Sequence, residues 1–173
     1  MKFFKQERGF TLAEMIVSVG LVSMLLLVTI QISLTVASIH RQSRIYLDIN
    51  SSAINAFSRF SRDIRRATSV DVINSTLGAS DGKLVLNLKQ SDGSYNTQTF
   101  LLSSSTVQSF YNDVYAGNLT PLTTDISNLT FRRFLNGSTT AIRVEMTVAP
   151  NASSTISALN FYGTYVLRGS YTQ

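Results

Sequence analysis

The residue best placed to do chemistry is an acid at the mouth of an apolar run. Glu14 closes the stretch Gly9-Phe10-Thr11-Leu12-Ala13-Glu14, and the 25 residues from Met15 to Ile39 carry no charged side chain. An ionisable group at membrane depth costs roughly 2.5 to 3.5 kcal/mol or more, so it calls for a function and a positive partner. A cut after Gly9 would supply that partner as the new amino group of Phe10, four residues from Glu14. A neighbouring copy shifted along the same axis would then set its amine against this carboxylate.

Other reactive side chains are scattered. The absence of cysteine excludes a disulfide framework, a thiolate metal site and a cysteine nucleophile. His40 is the only histidine, just beyond the apolar run, and one imidazole makes neither a metal site nor a triad. Asp81, Asp92, Asp113 and Asp125 lie among Gly, Ser and Asn without EF-hand spacing, so Asp-Gly here reads as hairpin chemistry and a calcium loop has no support. The Asn-x-Ser/Thr triplets follow from composition. No phosphate loop, nucleophile elbow or paired catalytic carboxylate is present, so no cofactor, metal or enzymatic activity is expected. The densest cationic group is Arg59, Arg62, Arg65 and Arg66 around Asp63. It could touch lipid headgroups, a partner subunit or DNA, and a solvated helix face is the simpler reading. The net charge of +5 includes three basic residues and one acidic before Gly9. The remaining chain is a weak case for nucleic acid, which needs charge gathered on one face.

These residues need elements to position them. The uncharged run would rise about 37 Å as a helix, against a hydrocarbon layer of about 30 Å. It is too long for the core of an ordinary secretory signal, which is about 7 to 15 residues. Lys2, Lys5 and Arg8 favour a cytoplasmic amino terminus, while Arg41 and Arg44 on the far side oppose it. The helical pattern then continues through Ile45, Ile49, Ala53, Ala56, Phe57, Phe60, Ile64 and Ala67, one stripe at spacings of three and four. Arg41, Arg44, Asp48, Arg59, Arg62 and Arg66 take the other face, with Arg44–Asp48 and Arg59–Asp63 at i,i+4, each worth a few tenths of a kcal/mol. A single helix from about residue 10 to 67 follows, with no proline before Pro121 to break it.

After Ser69 the period changes to two. Strands are expected at Lys83–Lys89, Tyr95–Leu102, Val107–Tyr111, Asn128–Leu135, Ala141–Val148 and Leu159–Leu167, with a polar loop over Asn112–Thr124. Alternation of this kind buries one face, and the stripe on the helix is the available cover. The fold class is α+β: an antiparallel sheet on the carboxyl half of a long helix.

The run Lys5-Gln6-Glu7-Arg8-Gly9-Phe10-Thr11-Leu12-Ala13-Glu14, followed by an apolar helix, resembles the class III prepilin signal of type IV pilins and pseudopilins. Basic leader, Gly, Phe, Glu at this offset and a long apolar run coincide. The resemblance implies a pilin fold, with a leader at 1–9, a transmembrane and filament-core helix at 10–39, and a globular domain at 40–173 that includes an amphipathic helix at 40–67. It implies cleavage between Gly9 and Phe10 by a membrane prepilin peptidase, N-methylation of Phe10, and pairing of Glu14 with the amino terminus of an adjacent subunit. Implied partners are other major and minor pilin or pseudopilin subunits, an assembly platform protein with its ATPase, and membrane lipid before assembly. The implied place is the inner membrane, single-pass, with the carboxyl domain outside the cytoplasm. Phe57-Ser-Arg-Phe-Ser-Arg-Asp-Ile-Arg-Arg-Ala67, Leu129-Thr-Phe-Arg-Arg-Phe134 and Tyr165-Val-Leu-Arg168 look like J-type minor pseudopilins and W-type minor pilins, which implies a tip or priming role. Two features depart from many major pilins: no proline near Gln31 and no cysteine pair. The competing function is a tethered adhesin or DNA-uptake module, which salt-dependent DNA binding by the soluble domain would reveal.

Overall fold

A single helix, α1 (Leu12–Arg66), opens the computed structural model, which describes residues 11–137, 139–150 and 156–168. The chain divides by its contacts into two units, Met1–Ser43 and Arg44–Gln173. In the first unit every described residue is exposed. Its most apolar window has a mean hydropathy of 2.4, long and apolar enough to cross a membrane.

In the second unit α1 becomes amphipathic. Ile49, Ala53, Ala56, Phe60 and Ile64 are buried, with Ile45 and Phe57 packed against them, as the spacing of three and four requires. Full burial of a side chain such as Ile49, Phe60 or Ile64 contributes about 1.5 to 3 kcal/mol. The last turn closes where Ala67 N–H donates to Asp63 O at 3.0 Å. Thr68 N–H then donates to Asn87 O at 2.8 Å, so the chain leaves the helix directly into a strand ladder.

Eight strands follow: β1 (Ser69–Val70), β2 (Lys83–Lys89), β3 (Tyr95–Ser103), β4 (Thr106–Tyr111), β5 (Val114–Asn118), β6 (Thr124–Asn136), β7 (Thr139–Pro150) and β8 (Leu159–Val166). They form two antiparallel sheets rather than one, ordered β1-β2-β3-β4-β5 and β6-β7-β8. A segment of backbone occupies the free side of β6. Gly82 N–H donates to Leu129 O at 2.8 Å, Leu129 N–H to Ser80 O at 2.8 Å, and Gly78 N–H to Phe131 O at 2.8 Å. With that edge taken, the five-stranded sheet has no partner there. Gly82 is required in this segment, because a Cβ would meet Leu129 O and the Phe131 ring.

The expected polar loop over Asn112–Thr124 is corrected: it holds β5. Asn112 and Asp113 form a two-residue hairpin with φ of 49° and 64°, a conformation these two residue types tolerate. Asn112 also accepts Thr97 N–H at 2.8 Å through its side-chain oxygen. β5 is short and mostly exposed, so it carries no alternating apolar signal.

Phe60 joins the layers. Its ring meets Phe100 of β3 edge-on at 5.0 Å and Phe131 of β6 at 5.7 Å, so one helical residue packs on both sheets. On β8 the narrow point is Gly163, where a Cβ would fall 2.8 Å from the Phe57 ring and 2.7 Å from Tyr165 Oη.

Candidate functional site

The start of α1 is set by Thr11. Its Oγ1 accepts the backbone N–H of Glu14 at 3.3 Å, satisfying one of the helix's unpaired donors. Thr11 and Glu14 thus hold the spacing of a capping box, and the Glu14 carboxylate sits in the first turn, where the helix dipole favours negative charge. The helical geometry therefore gives this acid a local reason to be tolerated. It gives the acid no cation, since Glu14 has no ion-pair partner among the described residues. Gly9 and Phe10, the expected cleavage and methylation positions, lie outside the described residues.

Below Glu14 the helix is built for an apolar medium. Ser18 and Ser23 donate their hydroxyls to Glu14 O and Val19 O, at 2.5 and 2.8 Å. Thr29 donates to Leu26 O at 2.8 Å, and Ser33 to Thr29 O at 2.9 Å. Thr35 and Ser38 do the same with Gln31 O and Thr35 O, at 2.9 and 2.8 Å. Each hydroxyl is satisfied by its own helix, which removes the several kcal/mol that an unpaired polar group would cost in hydrocarbon. The apolar helix and its satisfied hydroxyls together suit membrane anchoring.

The arginine cluster is a second candidate, and it is less uniform than the sequence suggests. Arg59 Nε lies 2.8 Å from Asp63 Oδ2, an ion pair at i,i+4 along the helix. Asp63, the i,i+4 partner expected for Arg59, is 4% exposed. Burial pushes its carboxyl up, against the pull of Arg59 and, more weakly, Arg62 and Arg66. Arg62, Arg65 and Arg66 remain exposed, and the last two stand in the final turn, where the helix dipole favours cations. Sequence reasoning missed the buried Asp63 and the buried Ser52, whose hydroxyl donates to Asp48 O at 2.6 Å. Both fall on the edge of the apolar stripe. Their positions between Ile49, Ala53, Phe60 and Ile64 were the available signal.

The remaining sites offer binding surface more than reactive chemistry. A groove of about 380 Å³ runs between Ile45, Asp48, Ile49, Leu122, Thr124 and Pro150, with Asp48 its one titratable group. His40 is exposed on the helix. Asp92 accepts the Ser94 N–H at 2.9 Å within the β2–β3 turn, and Asp71 accepts the Ile73 and Asn74 N–H groups at 3.1 Å. The side chains add the stronger bonds, Asn74 Nδ2–H to Asp71 Oδ2 at 2.7 Å and Ser94 Oγ–H to Asp92 Oδ1 at 2.6 Å, and with the backbone donors they hold both carboxyls below the usual range. Among the described residues no group of three or more His, Cys, Asp and Glu converges on a metal position.

Residues 4–30 match the family model for the prokaryotic N-terminal methylation motif. The match spans Glu14 and 16 of the 25 uncharged residues that follow it. Comparison with curated proteins and with solved structures gives no match.

Proposed function

We propose, on the premise of a type IV pilin or pseudopilin amino terminus, that this protein is a structural subunit of a type IV pilus or type II secretion pseudopilus. The motif implies processing by prepilin peptidase and assembly with other pilin subunits. The finer reading assigns the cut to the Gly9–Phe10 bond and N-methylation to Phe10. The subunit then waits in the inner membrane with its sheet domain outside the cytoplasm. In the filament, Glu14 of one copy faces the amino group of Phe10 in the next. The role is that of a minor subunit at or near the tip, on the likeness of Phe57–Ala67 and the closing Tyr165–Arg168 to minor pilins and pseudopilins.

The observation that carries this reading is one acid in the first turn of a helix that is otherwise uncharged through Ile39 and exposed on every side. A carboxylate there is tolerated singly through the helix dipole, and it becomes strongly favourable once a cation meets it in a low dielectric. An adjacent subunit's terminal amine is such a cation, and it exists only after cleavage. Hydrophobic burial between helices supplies the bulk attraction, and the charge pair sets axial register.

Glu14→Ala tests it. Leader cleavage and membrane insertion should be unchanged, because an alanine lowers the cost of insertion. Incorporation into filaments should fall by more than about a hundredfold, since losing one partner of a desolvated pair costs about 3 to 5 kcal/mol. Normal incorporation of Glu14→Ala, measured by immunoblot of sheared filaments, would remove the pairing role.

A further inference from the structure

We infer that Gln31 is a self-association site within the membrane, where its side-chain amide pairs with Gln31 of a second copy of this chain. The inference rests on the membrane span and not on filament assembly. From Met15 to Ile39 there are seven polar side chains, six hydroxyls and one amide. Every hydroxyl returns to a carbonyl of its own helix. The Gln31 side chain makes no such bond, and its longer stem carries the amide away from the backbone. Gln31 stands four residues past the middle of the uncharged run, about 6 Å along the axis. The hydrocarbon extends about 15 Å either side of its own centre, so the amide lies inside it.

Lipid offers that amide no partner. A primary amide carries two donors and one carbonyl acceptor, so the same group on another copy serves both functions, each side giving one hydrogen bond and receiving one, with one N–H left over. A parallel pair in register makes both of these bonds with no other residue. Such a pair sets Glu14 beside Glu14, and is therefore a different contact from the staggered one that would bring Phe10 to Glu14. The surface around Gln31 fits close approach by apolar side chains: Leu27 and Leu34 flank it on the same face, at i−4 and i+3.

The natural chain lacks cysteine, so single cysteines report contacts cleanly. Full-length chain in membrane vesicles would carry Leu27→Cys or Leu34→Cys on the Gln31 face, and Leu26→Cys or Ser33→Cys on the opposite face. Mild oxidation should give disulfide dimers from the first two and far fewer from the others. Adding Gln31→Leu to Leu34→Cys should lower the dimer yield about three- to tenfold, and Gln31→Asn should restore part of it. Adding Glu14→Ala should not lower the yield, since an in-register pair sets two like carboxylates together, whereas a staggered contact that used Glu14 would lose dimer. Equal yields on both faces, or a Gln31→Leu yield equal to the parent, would overturn the pairing. Release of the chain from vesicles by alkaline extraction would overturn the span and the pairing with it.

Discussion

One helix serves two environments in this protein, and the two halves keep themselves satisfied by opposite means. From Leu12 to Ser43 no described side chain is buried, and the hydroxyls from Ser18 to Ser38 turn inward on their own backbone. From Arg44 to Arg66 the helix is polar on one face, and its apolar stripe is covered by strands. The lesson is that helix formation itself is indifferent to what lies outside. Local hydrogen bonds and an unbroken run without proline make the helix, and the distribution of side chains around it decides what medium each half accepts.

The comparison is most exposed to a pair of truncations on the same helix. Phe60→Ala should destabilise the sheet domain by about 3 to 5 kcal/mol, because the ring fills the junction between Phe100 and Phe131. Leu26→Ala should leave that transition within about 0.5 kcal/mol, since Leu26 is exposed. Denaturant titration of the full chain in detergent, followed by tyrosine fluorescence, reads both. Equal effects would mean that the two halves are not energetically distinct.

A smaller effect is expected at Gly163. Gly163→Val forces a side chain into the space held by Phe57 and Tyr165, and should cost about 1 to 3 kcal/mol in the same titration. If the variant matched the parent, the helix would not press on β8 as closely as described.

The smallest concerns Asp63. Its folded-state pKa is raised, so the folded chain holds this proton more tightly than the unfolded chain does. The carboxyl therefore costs nothing below the ordinary value of 3.8, and costs stability as pH rises from there through the raised value. Asp71 and Asp92 act oppositely: their lowered values give stability that is lost as pH falls through them. Asp63→Asn should shift stability at neutral pH by less than about 1 kcal/mol, because the Arg59 side chain is 38% exposed and solvent screens the pair. It should also flatten the decline in stability just above pH 3.8. An unchanged pH profile would show that burial does not burden this carboxyl.

Much of this was legible in the residues because period and burial coincide. The stripe from Ile45 to Ala67 reads at spacings of three and four, and Lys83–Lys89 is the strand its alternation marks. What escaped lacked such a signal. β1 has two residues, β5 is mostly exposed, and the β3–β4 turn is built by Ser104 and Ser105 at φ of 49° and 58°, residue types that rarely announce such a turn. The division into two sheets depends on which backbone occupies the β6 edge, and that is a tertiary outcome. At the amino terminus the sequence carries the argument. Glu14 is seen in the first turn, and its proposed partner is created only by cleavage.

The most direct measurement is the intact mass and amino-terminal sequence of the chain recovered from sheared filaments. The account predicts a polypeptide that starts at Phe10 and carries one additional methyl group on its amine. A mature chain that keeps Met1, or starts at any other residue, would leave Glu14 without the amine proposed to meet it, and would contradict the account.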